Sequence, residues 1–469
     1  SVAVCFLFSY LNPEHENLMQ ELLQDLGVHV SKSHSILNEF REFERLSTTV
    51  VNAYVSLKMS GYLEELTGYI QDNPFRIMQS NGGSISVKTA MQESVRTILS
   101  GPAGGVVGAR ELGRAAGENR LITFDMGGTS TDVCLIDGQA PLCLESSISG
   151  YPLRVPMLDI HTVGAGGGSI AHIDAGGSLK VGPESAGADP GPVCYGLGEK
   201  ITVTDANLFL GRLIAEQFLG GDMTLQSEKL KLYFKNMSVQ AGLSMMELAE
   251  GILDVANTNM ERAIRVISVQ RGFDPREFTL FSFGGAGGLH CAFLARLLSI
   301  PRILIPKNPG ILSAMGMVMA DVIRDYSQTV MLCAQNSSYE DIRQLFKPLK
   351  EQAVQEMLLE DFSRSSIIFE PFLDMRYQGQ SFEIIVPFNQ EYEKGFAELH
   401  AKKYGYHNPD NALEIVNLRL RARGRPQKPE LIKSDELHKG IAESAFWGNR
   451  EVVFEARPWQ TAILKREEL

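Results

Sequence analysis

The run with most chemistry in it is Asp125-Met126-Gly127-Gly128-Thr129-Ser130-Thr131-Asp132, flanked by apolar residues at 121–124 and 133–136. A strand ending in an aspartate, a Gly-Gly-Thr turn and a returning strand make a hairpin whose tip gathers backbone N–H groups and hydroxyls. Such a tip can hold a phosphate. Gly127 and Gly128 let the backbone approach a ligand closely, and Thr129 and Thr131 offer hydroxyls. Asp125 stands where it could hold a Mg²⁺-bound water or orient an attacking one. Asp132 closes the motif, and with Asp125 and Thr129 it makes the candidate catalytic set. A tight hairpin with a polar tip and no ligand would carry the same residues.

A second glycine loop, Phe283-Gly284-Gly285-Ala286-Gly287-Gly288, empties an apolar strand into a helix pattern at 291–298. Such a loop can admit a base, a ribose or a phosphate against the backbone, and Gly284, Gly285, Gly287 and Gly288 are its candidate contacts. Close packing of helix on strand also needs small residues and is the structural alternative. A third group is Asp159-Ile160-His161, leading to Gly164-Ala165-Gly166-Gly167-Gly168-Ser169. On one strand, positions 159 and 161 share a face, so Asp159 and His161 could ligate a second divalent metal or hold a proton relay. The alternative is a hydrogen-bonded pair that orients the glycine loop. Ser100-Gly101-Pro102 reads as a helix start with Pro in its first turn, serving either as a cap or as a ligand-facing N-terminus. No GxSxG elbow occurs and the nine histidines are scattered, so a Ser–His–Asp hydrolase has no support. Cys194 beside Pro192 is either an exposed or a buried thiol.

These residues need elements to hold them, and the chain repeats one grammar across its middle: apolar strand, glycine turn, then helix or strand, at 121–125, 160–168 and 278–288. That alternation predicts an α/β fold with the glycine loops gathered at strand ends. Apolar residues at helical spacing predict helices at 14–26, 48–68 and 244–271, the last closed by Gly272 and Asp274-Pro275. Residues 329–423 read as a separate α+β domain: a helix at 339–360, strands at 372–377 and 381–387, then a helix at 391–404. The expected segments are thus 1–48, the end of a first lobe; 49–328, the core; 329–423, the α+β domain; and 424–469, a tail with little core.

The chain has 469 residues, 44% hydrophobic and 21% charged, which allows two or three domains. Its 56 acidic and 44 basic residues are spread along the sequence, for a net charge of -12, and supply no basic face for nucleic acid or an anionic membrane. No apolar run approaches the roughly 20 residues of a membrane span. The six cysteines show no CxxC pair or regular spacing. A reducing, cytoplasmic setting is expected.

Taken together, the motifs resemble the A-type subunits of hydantoinases and 5-oxoprolinases and the related acetone and acetophenone carboxylases. Residues 124–133 are similar to that family's second phosphate loop, and 283–288 to its adenosine loop. Gln79-Ser80-Asn81-Gly82-Gly83, Leu99-Ser100-Gly101-Pro102-Ala103-Gly104-Gly105, residues 161–169, Arg271-Gly272-Phe273-Asp274-Pro275-Arg276 and Arg376-Tyr377-Gln378-Gly379-Gln380 match its pattern too. The resemblance implies an actin-like, sugar-kinase-like (ribonuclease H-like) ATPase core that binds ATP and Mg²⁺. It further implies phosphorylation of an amide oxygen in a small cyclic-amide substrate, hydantoin or 5-oxoproline, for ring opening. A ketone carboxylase would use the same phosphorylation step, and a binding or scaffold subunit would use none. A B-type subunit or a homo-oligomer is the implied partner. The family's first phosphate loop, of Asp-x-Gly-Gly-Thr-x-Thr-Asp type, is expected ahead of residue 1, and its usual final segment beyond residue 469.

Overall fold

The apolar stretches around the aspartate motif form an antiparallel hairpin, Arg120–Met126 with Thr131–Asp137, in which Asp125 faces Asp132 and Met126 faces Thr131. The structure is a computed structural model describing residues 1–70, 75–148, 150–431 and 441–468. Contacts divide the chain into two units: residues 1–108, 141–159 and 313–429, and residues 109–140, 160–312 and 430–469.

The second unit is built on the hairpin. His161–Val163 pairs antiparallel with Thr131–Asp137, while Thr279–Phe283 runs parallel to Arg120–Met126, and Arg302–Leu304 parallel to Thr279–Phe283. By position in the chain the five strands lie in the order 3-2-1-4-5, the sheet of an actin-like α/β fold. Residues 279–283 are buried on both faces, as expected of an interior parallel strand. Behind the sheet lies the helix Met245–Ile267. It starts at a capping box in which Ser244 and Glu247 satisfy each other's backbone N–H groups, worth about 1 kcal/mol. Its buried face, with Leu248, Ile252, Met260 and Ile264, packs into one core with Ile122, Phe124, Leu280 and Leu294. Gly272 ends the following short turn at φ 80°, where only glycine is unstrained. The expected tail carries more structure than its composition suggests. Phe446–Phe454 and Arg457–Leu464 pair as a hairpin, and Val453 N–H donates to Leu210 O at 2.9 Å. Residues 432–440 of that tail lie outside the described residues.

The first unit centres on a six-stranded sheet ordered Ile384–Pro387, Ile368–Tyr377, Leu413–Gly424, Val322–Cys333, Ser84–Ser86, Arg76–Met78. Val322–Cys333 is one continuous strand spanning the segment boundary expected at 328/329, so the α+β segment shares its sheet with residues 76–86. The helix expected at 339–360 is two helices, Tyr339–Leu345 and Lys347–Leu359, the second opening on Pro348. Glu42–Ile70 is a single helix longer than the apolar spacing suggests, and its buried face is largely polar: Arg45, Thr48, Thr49, Asn52 and Ser56. Hydrogen bonds dock it. Arg45 donates to Glu39 O, Phe6 O and Ser33 Oγ, and Asn52 donates to Ser31 Oγ and Gln92 O. Gly104 and Gly316 meet where a side chain on either would strike the other helix, so the Ser100–Ala115 helix uses glycine for packing.

Candidate functional site

The site grows from the tip of the Arg120–Met126/Thr131–Asp137 hairpin. Asp125 and Asp132 occupy facing register positions, so both carboxylates leave the sheet on one side. Burial, then the charge of Asp132, pushes the Asp125 carboxyl up to about 6. Burial raises Asp132 as well, opposed by the Thr162 hydroxyl, which donates to Asp132 Oδ1 at 2.5 Å from the neighbouring strand. Among the described residues no cation takes part in either shift. Two half-buried carboxylates without a basic partner are an electrostatic deficit that a divalent cation would fill, using one or two carboxylates plus water and phosphate oxygens. The residues present therefore fit Mg²⁺.

The turn itself is held from behind by the loop at 164–168. Gly167 N–H donates to Gly127 O at 3.0 Å and Gly168 N–H to Gly128 O at 2.6 Å. A Cβ on Gly166 would stand 2.7 Å from the Thr129 backbone, so that loop must be glycine to lie against the tip. With their carbonyls engaged behind, Gly127 and Gly128 turn toward open space, since a Cβ on Gly128 would meet nothing within 4 Å. Thr129 is exposed, its hydroxyl available. Thr131 is placed otherwise than expected: it is fully buried and its hydroxyl donates to Ala165 O at 2.5 Å, so it fastens the loop and cannot reach a phosphate.

The second glycine loop is seated on the same strand ends. Gly284, at φ 80°, lies so close to Asp125 that a Cβ there would collide with Asp125 Oδ1, and Ala286 N–H donates to Met126 O at 3.0 Å. Gly285 and Gly288 are exposed with room beside them, as a nucleoside contact requires. Gly287 is buried, and a Cβ there would crowd Ser282 Oγ at 2.9 Å, so its role is packing. His290 beyond the loop is structural. It is 1% exposed, held at 2.8 Å from Asn257 Oδ1 and 3.4 Å from Asn207 Nδ2, and burial keeps it neutral by pushing it down to about 4.

Asp159 and His161 do not lie on one strand. The strand Met157–Leu158 pairs with Leu142–Cys143, and Asp159 N–H donates to Pro141 O at 2.9 Å. His161 starts a different strand in a different sheet, opposite Val133. The same-face argument for a second metal therefore fails, because alternation holds only along an unbroken strand. Among the described residues no group of three or more His, Cys, Asp or Glu is placed to hold a metal. Cys194 is fully buried, its thiol pushed up by burial and by Asp205, and is no nucleophile. Sequence reasoning missed Thr162 and the support given by Gly166 to Gly168. The run of glycines was visible, but its partner was not.

Comparison with known proteins identifies the family and the fold. The family described as hydantoinase/oxoprolinase matches residues 45–326, and the hydantoinase/oxoprolinase C-terminal domain matches residues 333–469. The chain is 34% identical over 482 residues to the caprolactamase subunit alpha of Pseudomonas jessenii, covering 98% of this chain and 69% of that one. The crystal structure of the ATP-dependent caprolactamase from the same organism superposes with a TM-score of 0.88 at 33% identity, covering 99% of this chain and 71% of that one. The nucleotide-free structure of acetone carboxylase superposes with a TM-score of 0.78 at 26% identity, covering 100% and 70%. The chain is also 34% identical over 498 residues to the 5-oxoprolinase of Saccharomyces cerevisiae, of which it spans 38%. No described helix is long and apolar enough to cross a membrane.

Proposed function

This chain belongs to the hydantoinase/oxoprolinase family, and from that premise we propose that it takes part in the ATP-dependent hydrolysis of a small cyclic amide, a hydantoin, 5-oxoproline or a related lactam. The observation that carries the reading is the facing pair Asp125 and Asp132, uncompensated by any described cation, at the mouth of a hairpin on which two glycine loops rest. When bound, Mg²⁺-ATP would supply the phosphoryl group that turns the ring carbonyl oxygen into a leaving group.

The chain's own residues prepare for that. Asp125 and Asp132 would hold the cation, and the Thr162 hydroxyl favours the ionised form of Asp132 against its burial. Gly127 N–H closes the turn on Ser130 O at 3.0 Å, so Gly128 and Thr129 offer the N–H groups and a hydroxyl to phosphate oxygens, and Gly285 and Gly288 border the nucleoside. The Gly166 to Gly168 loop fixes the turn so that these donors need not reorganise. The name of the caprolactamase relative, a subunit alpha, supports a partner subunit of B type for the ring-opening step; a homo-oligomer is the alternative assembly.

The likeness to acetone carboxylase supports a second reading, an ATP-dependent carboxylation of a ketone. One experiment separates the two. Phosphate release from Mg²⁺-ATP is followed with hydantoin, 5-oxoproline, caprolactam and acetone in turn, with labelled bicarbonate present. Ring-opened acid without label in it is the expected outcome. Label in the product would replace hydrolysis by carboxylation, and phosphate release that no candidate stimulates would leave neither.

A further inference from the structure

The first unit holds a cavity of about 480 Å³, the size of a small-molecule site, that the reading above does not use. Its wall includes Arg96, Arg324, Glu93, Glu356 and, on the apolar side, Tyr10 and Ile36. Arg324 is 11% exposed. It binds Glu93 Oε1 through Nη2 at 3.1 Å and Glu356 Oε2 through Nε at 3.1 Å, yet its Nη1 is buried with no hydrogen-bond partner. A buried guanidinium N–H without an acceptor is unfavourable until something supplies one. Arg96 uses Nε on Glu93, and its charge acts on Asp325, but among the described residues its two terminal nitrogens have no hydrogen-bond partner. Two guanidinium ends with spare donors suit the planar, two-oxygen face of a carboxylate.

The opposite charge is also on the wall. Glu356 is 28% exposed, and its Oε1 accepts one bond, at 2.9 Å from the exposed Gln352. A simple anion entering here would face Glu93, Asp325 and Glu356 as well as the two arginines. A simple amine would face the arginines. A molecule carrying both charges satisfies both sets, and Pro13, Ile36 and Leu349 give its carbon chain an apolar surface.

We propose that this cavity binds a small zwitterionic amino acid, its carboxylate on the free ends of Arg96 and Arg324 and its ammonium on Glu356. Binding stands on this geometry alone. Its meaning rests on the proposed function, because hydrolysis of a cyclic amide produces an amino acid, and the site would then sense product.

Calorimetric titration of glutamate and of 6-aminohexanoate into the intact chain tests it, with hexanoate and hexylamine as single-charge controls. Saturable binding of at least one amino acid is expected, with both controls at least tenfold weaker. Arg96→Gln, and Ser35→Trp, which narrows the exposed rim without touching an ion pair, should each weaken binding at least tenfold while circular dichroism shows an intact fold. Asp125→Ala should leave it unchanged. Equal binding by a single-charge control, equal binding by both variants, or no binding of either amino acid overturns the proposal. Amino-acid binding without any Mg²⁺-ATP binding would remove the ring-opening reading and keep this site, and the converse result would do the opposite.

Discussion

A fully buried glutamate and a half-buried pair of aspartates in this molecule are treated in opposite ways. In the first unit Glu39 is fully buried between Arg154, whose Nε donates at 2.6 Å, and Arg419, whose Nη2 donates at 2.6 Å; Arg419 also gives Nε to Asp374 Oδ1 at 2.6 Å. Burial alone would raise Glu39, but Arg419 and Arg154 more than offset it and hold the carboxyl below its usual range. In the second unit Asp125 and Asp132 face each other with no arginine between them, and both are raised. The difference teaches how to tell structure from function. A charge neutralised by the chain belongs to the fold, and a charge left for something else to neutralise marks a site.

The largest effect should come from breaking the paired group. Arg419→Met strips Glu39 and Asp374 of a shared partner and leaves buried charge uncompensated, so it should cost about 3–5 kcal/mol, read as a fall in the urea midpoint. An unchanged midpoint would erase the contrast with the hairpin pair.

The unpaired group should behave in the opposite sense. Asp125 takes up its proton at about 6 in the fold against an ordinary carboxyl value of 3.8, so the folded state favours the protonated form. Without a divalent cation, stability should therefore fall by up to about 3 kcal/mol as pH rises from about 4 to about 6. Asp125→Asn should flatten that slope and lose the cation site together. Mg²⁺ affinity should rise across the same window as the carboxyl ionises, and level off above about pH 7. Denaturant titrations at stepped pH, with EDTA and with Mg²⁺, check both statements.

Much of this was legible in the sequence, and the reasons it stopped are specific. The Asp125 to Asp132 hairpin and the Gly284 to Gly288 loop announce themselves because strand, turn and strand follow within a few residues, and the spacing fixes their geometry. The role of Thr131 is not legible there, because a hydroxyl's direction depends on what lies behind it, here the carbonyl of Ala165, 34 residues away. Asp159 and His161 read as one strand because the switch between sheets at residues 159–160 leaves no mark in an alternating pattern. Glu39 and Arg419 are 380 residues apart, beyond the reach of any local reading.

Smaller changes sharpen the comparison. Gly284→Ala puts a methyl against Asp125 at φ 80° and should destabilise the second unit by about 1–3 kcal/mol. Nucleotide binding should weaken with it, measured by calorimetry beside thermal unfolding. The smallest effect is expected from Thr162→Val. Losing one exposed hydrogen bond to a carboxylate should weaken the preference for ionised Asp132, displacing the Mg²⁺ binding curve toward higher pH with little change in unfolding. A curve unmoved by this variant would mean that Thr162 does not govern Asp132.

The most direct test of the central claim, that the hairpin carboxylates are held ready for a nucleotide-bound cation, is calorimetric titration of Mg²⁺-ATP into this chain and into its Asp125→Ala variant. Saturable binding to the chain and its loss in the variant is the predicted result. Equal binding by both proteins would contradict the claim, since the cation would then be held without the carboxylate assigned to it.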